Sequence, residues 1–160
     1  MWTAPLTLTV LASCTAMNPQ TAAATAYLDA IRPLMIENSM LADRVLVQAA
    51  AIYNEAETPK EVAAAWETEI VPVAEHLADQ AGLVVAPGPY QPRHAELVSI
   101  WTDRATAYRS VAEAIRVGDP DAWMPARKEA ENAKIREENW FNQLNENVVP
   151  LGIPLVDEYP

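Results

Sequence analysis

Apolar side chains recur every three to four residues along nearly the whole chain, which is the spacing of one face of an α-helix. The first such run extends from about Thr21 to Glu55, with Tyr27, Ile31, Leu34, Leu41, Val45, Ala49 and Ile52 on one side. Pro33 falls inside it and removes the bond to the carbonyl of Asp29, so a kink or short break is expected there. A second helix starts at Thr58-Pro59-Lys60-Glu61, which combines a Thr cap, Pro at the first helical position and Glu at the third. Its stripe is Val62, Trp66, Ile70, Val73, Leu77 and Val84, with Pro72 as a second expected kink. The Pro-rich segment 86–92 cannot continue a helix.

The third run, from about Pro92 to Val117, carries Leu97, Trp101, Tyr108, Val111 and Ile115 and is closed by Gly118. Asp119-Pro120 then starts a fourth, whose apolar positions are Trp123, Ala126, Ala130, Ala133, Trp140, Phe141 and Leu144. Short connections between long amphipathic helices predict an all-α, up-down-up-down antiparallel four-helix bundle roughly 40 Å long. Its first and second helices are kinked. The bundle occupies residues 21–147, and a C-terminal tail, 148–160, is expected to lie extended because it holds three prolines.

Composition sharpens this reading. A single domain of 160 residues, 51% apolar with only four glycines, buries enough surface to fold without a metal or disulfide staple. A net charge of −11 opposes a phosphate backbone, so nucleic acid is not an expected partner. The acidic body equally opposes adsorption on an anionic membrane face. One cysteine, Cys14, excludes an intramolecular disulfide and a thiolate zinc cage.

The segment 1–13 is an apolar run closed by small residues directly before Cys14, the layout of a secretory signal and its cleavage site. Leu11-Ala12-Ser13-Cys14 resembles the lipobox of bacterial lipoproteins. That resemblance implies that Cys14 becomes an acylated first residue, with 14–20 as a linker between lipid and bundle. Each buried methylene of the acyl chains would add about 0.8 kcal/mol of anchoring. Thr15, in place of Asp, implies sorting to the outer rather than the inner membrane. Ile31-Arg32-Pro33-Leu34, Ala65-Trp66, His94-Ala95-Glu96-Leu97-Val98 and Glu137-Glu138-Asn139-Trp140-Phe141 are also similar to small bacterial envelope lipoproteins. This second resemblance implies location and fold, and carries no activity.

Candidate chemistry is sparse. Counting back from each turn places Asn38, Glu69, Arg104 and Glu137 near one level of the bundle, at or beside core-facing positions. One reading is a binding site in which Arg104 recognises an anion. The simpler reading is an ion network that fixes helix register, because one Arg with flanking acids satisfies itself. His76 beside Glu75 and His94 near Glu96 lack the Glu-x-x-His spacing of bundle metal sites. His94 is expected to be solvated and His76 to neighbour the core. Trp66, Trp101, Trp123 and Trp140 stand at core spacing, with an aromatic pocket as the other reading. No nucleophile motif or phosphate loop is present. These features predict a non-enzymatic, lipid-tethered interaction or structural module of the cell envelope, with its soluble domain in the periplasm, an unknown protein partner and no cofactor. The alternative is a carrier holding a small ligand or metal inside the bundle.

Overall fold

Three of the helices begin with the same two-residue device, a side-chain cap followed by proline. Asn18 accepts from the backbone N–H of Gln20 at 3.0 Å and opens α1, Pro19–Tyr53. Thr58 and Glu61 form a reciprocal capping box, 2.8 and 3.3 Å, at the start of α2, Pro59–Ala65. Asp119 accepts from Asp121 and Ala122 at 2.9 and 3.3 Å and opens α5, Pro120–Val148. Proline at the first helical position lacks only an N–H that would have had no partner.

The computed structural model describes residues 18–53 and 58–154. The signal-like segment and Cys14 lie outside the described residues, as do 54–57 and the last six residues of the C-terminal tail, 155–160. α1 begins at Pro19, two residues earlier than the apolar stripe suggests, and runs through Pro33 without the expected break. Pro33 and Asp29 are both exposed, so the carbonyl freed by proline can be hydrated there.

Pro72 acts differently. α2 and α3, Val71–Leu83, are joined by a π turn, Trp66–Ile70, in which the N–H of Val71 bonds to the carbonyl of Trp66. The ring of Pro72 would collide with the carbonyl of Thr68 in a regular α-helix, and the wider turn just before it relieves that collision. A 3-10 turn, Gly88–Tyr90, leads into α4, Gln91–Val117. Gly118 closes α4 in the left-handed region at φ 69°, and its N–H bonds to the carbonyl of Ala114 at 3.0 Å. At the C-terminus α5 extends to Val148, followed by a 3-10 turn at Val149–Leu151, so the first part of the expected extended tail is helical.

Side-chain pairs fix the directions. α3 and α4 run antiparallel, with His94 beside Ala81 and Arg109 beside Glu75. α4 and α5 run antiparallel too, with Arg93 beside Gln143 and Arg136 beside Asp103. α1 runs parallel to α4, matching Tyr27 to His94 and Asn38 to Arg104. The molecule is therefore the four-helix bundle that the periodicity predicts, its second helix divided by the π turn. Tyr27, Ile31, Ile70, Leu77, Leu97, Ile100, Trp101, Trp140 and Leu144 fill its core. Each of these side chains stabilises the fold by roughly 1.5–3 kcal/mol relative to exposure.

Candidate functional site

Where the four helices reach mid-length, the core is polar. Glu137 of α5, 1% exposed, accepts at Oε1 from Asn38 Nδ2 at 3.1 Å and from Trp101 Nε1. Its Oε2 accepts from Arg104 Nη1 at 2.6 Å. Arg104 Nη2 donates to Asn38 Oδ1, and the guanidinium carbon stands 5.6 Å from the Trp101 ring centre. Three of the four residues expected in the polar layer, Asn38, Arg104 and Glu137, are thus brought together. Glu69 is not among them. It is exposed in the π turn, where Trp66 and Ile70 take the inward positions, and the extra residue of that turn is what defeats a count based on 3.6 residues. Trp101 replaces it as the fourth member.

The histidines also exchange their expected roles. His94 is buried, its ring bonded to the Tyr27 hydroxyl through Nδ1 at 3.3 Å and to the Ala81 carbonyl through Nε2 at 2.9 Å. The 3-10 turn before α4 brings Tyr90 back over Tyr27, with ring centres 4.9 Å apart, and this covers the first turn of α4. His76 is exposed. Among the described residues, no group of three or more His, Cys, Asp or Glu could hold a metal ion, and no helix is long and apolar enough to cross a membrane.

Toward the far end of the bundle, α1 and α5 leave a groove between them. Val45, Ala49 and Ile52 of α1, which the periodicity places in the core, are only half-buried, as are Trp123 and Ala130 of α5. Small side chains are the cause. Ala130 of α5 and Ala42 and Ala49 of α1 line it, and none of them is large enough to bridge the two helices. One part of the groove has a volume of about 300 Å³ and is walled by Val45, Ile52, Trp66, Tyr108, Val111 and Trp123, with Arg127, Glu131 and Lys134 also at its lining. A second part of about 270 Å³ adjoins it through Val45, Leu46, Tyr108 and Lys134, and ends on Arg104 and Glu137. These sizes lie at the lower end of those that hold small molecules.

Comparison with protein-family models, curated proteins and solved structures returns no match. The groove must therefore be interpreted from its own chemistry.

Trp66, in one part of the groove, and Arg104, in the other, each carry an N–H, Nε1 and Nε, that is shut off from solvent and has no acceptor, at a cost of about 1–3 kcal/mol apiece. The other two large indoles are satisfied, Trp101 by Glu137 and Trp140 by the carbonyl of Arg93 at 2.7 Å. Of the four tryptophans among the described residues, Trp101 and Trp140 are therefore core anchors, whereas Trp66 and Trp123 line the groove. Trp66 also meets Tyr108 edge-on at 5.5 Å. Burial pushes the Tyr108 phenol up from its ordinary range, outweighing the opposing pull of Arg104, so it is a neutral hydroxyl. A larger hollow of about 500 Å³, lined by Gln20, Tyr90, Arg93, Glu96 and Asn147 among others, lies near the 3-10 turns, and no buried side-chain donor or acceptor in it lacks a partner.

Proposed function

We propose that the protein is a non-enzymatic, lipid-tethered module of the bacterial cell envelope whose bundle carries a small ligand in the groove between α1 and α5. The single observation that supports carriage is the groove itself, whose main part is walled by Trp66, Trp123, Tyr108, Val45, Ile52 and Val111 and is not filled by the chain's own side chains. The polar layer closes one end of the groove, where Asn38, Arg104 and Glu137 hold one another in register. The lipobox-like Leu11-Ala12-Ser13-Cys14 supports the tether, and Thr15 supports the outer membrane as its site.

Native mass spectrometry of the protein purified from its own cells tests this reading. Stoichiometric mass beyond polypeptide and acyl chains, lost on Ala130→Trp, is the expected result. A second reading, docking of a protein partner, is favoured by Ile36, Met40 and Val47, which stand 49%, 52% and 65% exposed along the outer side of α1. Bare polypeptide in the spectrum, unchanged by Ala130→Trp, would leave that reading ahead.

A further inference from the structure

The charges of this acidic chain avoid one end of the bundle. The start of α1, the connector from α3 to α4 and the 3-10 turn after α5 meet there, around the hollow of about 500 Å³ that Gln20, Pro89, Tyr90 and Leu151 help to line. In a protein of net charge −11, none of the residues 18–28, 80–92 and 147–154 in those three segments is charged. The first charges met beyond them are Asp29 on α1, Asp79 on α3, Arg93 and Glu96 on α4 and Glu146 on α5. Arg93 and Glu96, one of each sign, stand together at the hollow. The opposite end is different, with Lys60, Glu61, Arg116, Asp119 and Asp121 all exposed about its turns. The uncharged end also carries the two most exposed large apolar side chains among the described residues, Val85 at 89% and Leu83 at 73%, together with Val149 at 44%. Apolar side chains scattered singly over a surface are ordinary. Here they gather where charge is missing, which is the pairing that an apolar phase selects.

Chain length says what lies next to this end. Asn18 follows Cys14 by only four residues, so the two are at most about 14 Å apart even with the chain between them fully extended. The 35 residues of α1 carry the far end roughly 50 Å away. An acylated Cys14 therefore brings the uncharged end to the bilayer. Resting on the tether reading above, we propose that this end is a second membrane contact, in which Leu83, Val85 and Val149 enter the interfacial layer of the bilayer that holds Cys14. The flanks of the bundle cannot make such a contact, because their carboxylates would be repelled by anionic headgroups and would have to shed water. End-on, Asp79 and Glu146 stay about one helical turn behind Leu83 and Val149, and Arg93, which bonds Gln143 at 3.2 Å, is the cation nearest the lipid phosphates. Three side chains would hold a free protein on a membrane only weakly, but a tether keeps them at high local concentration, and the contact then sets the tilt of the bundle. Val45 stands roughly 40 Å from the membrane in this pose, at 1.5 Å per residue from Pro19, so the groove between α1 and α5 opens to water rather than lipid.

The test uses the protein purified from its own cells and reconstituted into vesicles of phosphatidylethanolamine and phosphatidylglycerol. A single new thiol is introduced by Leu83→Cys, Val85→Cys or Val149→Cys at the uncharged end, and by Val117→Cys or Met124→Cys at the opposite one, all at exposed positions whose side chains the core does not need. Each thiol takes a nitroxide spin label, which an acylated Cys14 cannot. In vesicles, the labels at 83, 85 and 149 are expected to shift toward collision with oxygen, which concentrates in lipid, and away from collision with a water-soluble nickel chelate. Labels at 117 and 124 should keep the accessibility of sites in water. Water-like labels at every position, on protein that stays with the vesicles, overturn the contact and leave the tether standing. Labels at 83, 85 and 149 shielded from both reagents overturn it as well, because a protein surface then covers this end. If Cys14 of the unsubstituted chain takes the label and the protein stays out of the vesicles, the tether reading falls and the inference falls with it.

Discussion

Removing Glu137 should reveal how much the polar layer constrains the bundle. Its carboxylate is 1% exposed and accepts from Asn38, Trp101 and Arg104, so Glu137→Leu strands a guanidinium that is itself only 4% exposed. Breaking a buried ion pair from one side costs about 3–5 kcal/mol, and Arg104→Leu, which strands the carboxylate, should cost a similar amount. Changing both together removes both charges. What remains is the loss of acceptors for Asn38 Nδ2 and Trp101 Nε1 and of the donor to Asn38 Oδ1, about 1–3 kcal/mol each, offset by roughly 1.5–3 kcal/mol for each newly buried leucine. The double variant should therefore lie within about 3 kcal/mol of the parent, and the two single losses should exceed the double loss by at least about 3 kcal/mol. Urea unfolding followed by circular dichroism reads this directly: with a slope of about 2 kcal/mol/M, each single variant shifts the midpoint down by roughly 1.5–2.5 M. Asp103→Ala is the control, because its pair with Arg136 is half exposed at 2.6 Å and should be worth no more than about 1 kcal/mol. Single variants that each lose under about 1 kcal/mol, or a double loss equal to the sum of the singles, would refute the closed network.

Three further outcomes follow from the same structure. Gly118→Ala, forced to keep φ at +69° with open space around the added methyl, should lose about 1–2 kcal/mol from backbone strain alone, and an unchanged thermal midpoint would argue against the left-handed cap. Burial raises the phenol of Tyr27 above its ordinary value of 10.0, so the fold keeps its full stability below that pH and loses it as pH climbs toward the raised value; tyrosinate absorbance should thus lag and rise together with unfolding, whereas Tyr27→Phe should soften the alkaline loss. Glu61 is held below its ordinary value by the backbone N–H and hydroxyl of Thr58, so its contribution is present above about pH 4.5 and vanishes as pH falls through the depressed value. Thr58→Ala should accordingly cost about 1 kcal/mol at neutral pH and less at about pH 2, with an equal penalty at both counting against the capping box.

Where the sequence could be read, it was read through local rules that tertiary structure did not override. The Thr58-Pro59 and Asp119-Pro120 starts and the Gly118 stop needed only a cap, a fixed φ and a missing Cβ, and all three stand where those rules put them. Asn18-Pro19 carries the same signal, and the apolar stripe masks it because the first inward residue of α1, Ala24, comes more than a turn later. Counting residues from the turns located Asn38, Arg104 and Glu137, since α1, α4 and α5 are unbroken between their turns and that level, and it failed for Glu69 because the π turn adds a residue that only the Pro72 ring and its neighbours dictate. The groove was harder to see for a different reason. Periodicity says which side of a helix faces inward but not how much volume the facing side chains supply: Ala126 and Ala133 are buried as core positions, whereas Ala130, at the same spacing, is too small to close the gap to Ala49, Val45 and Ile52 of α1.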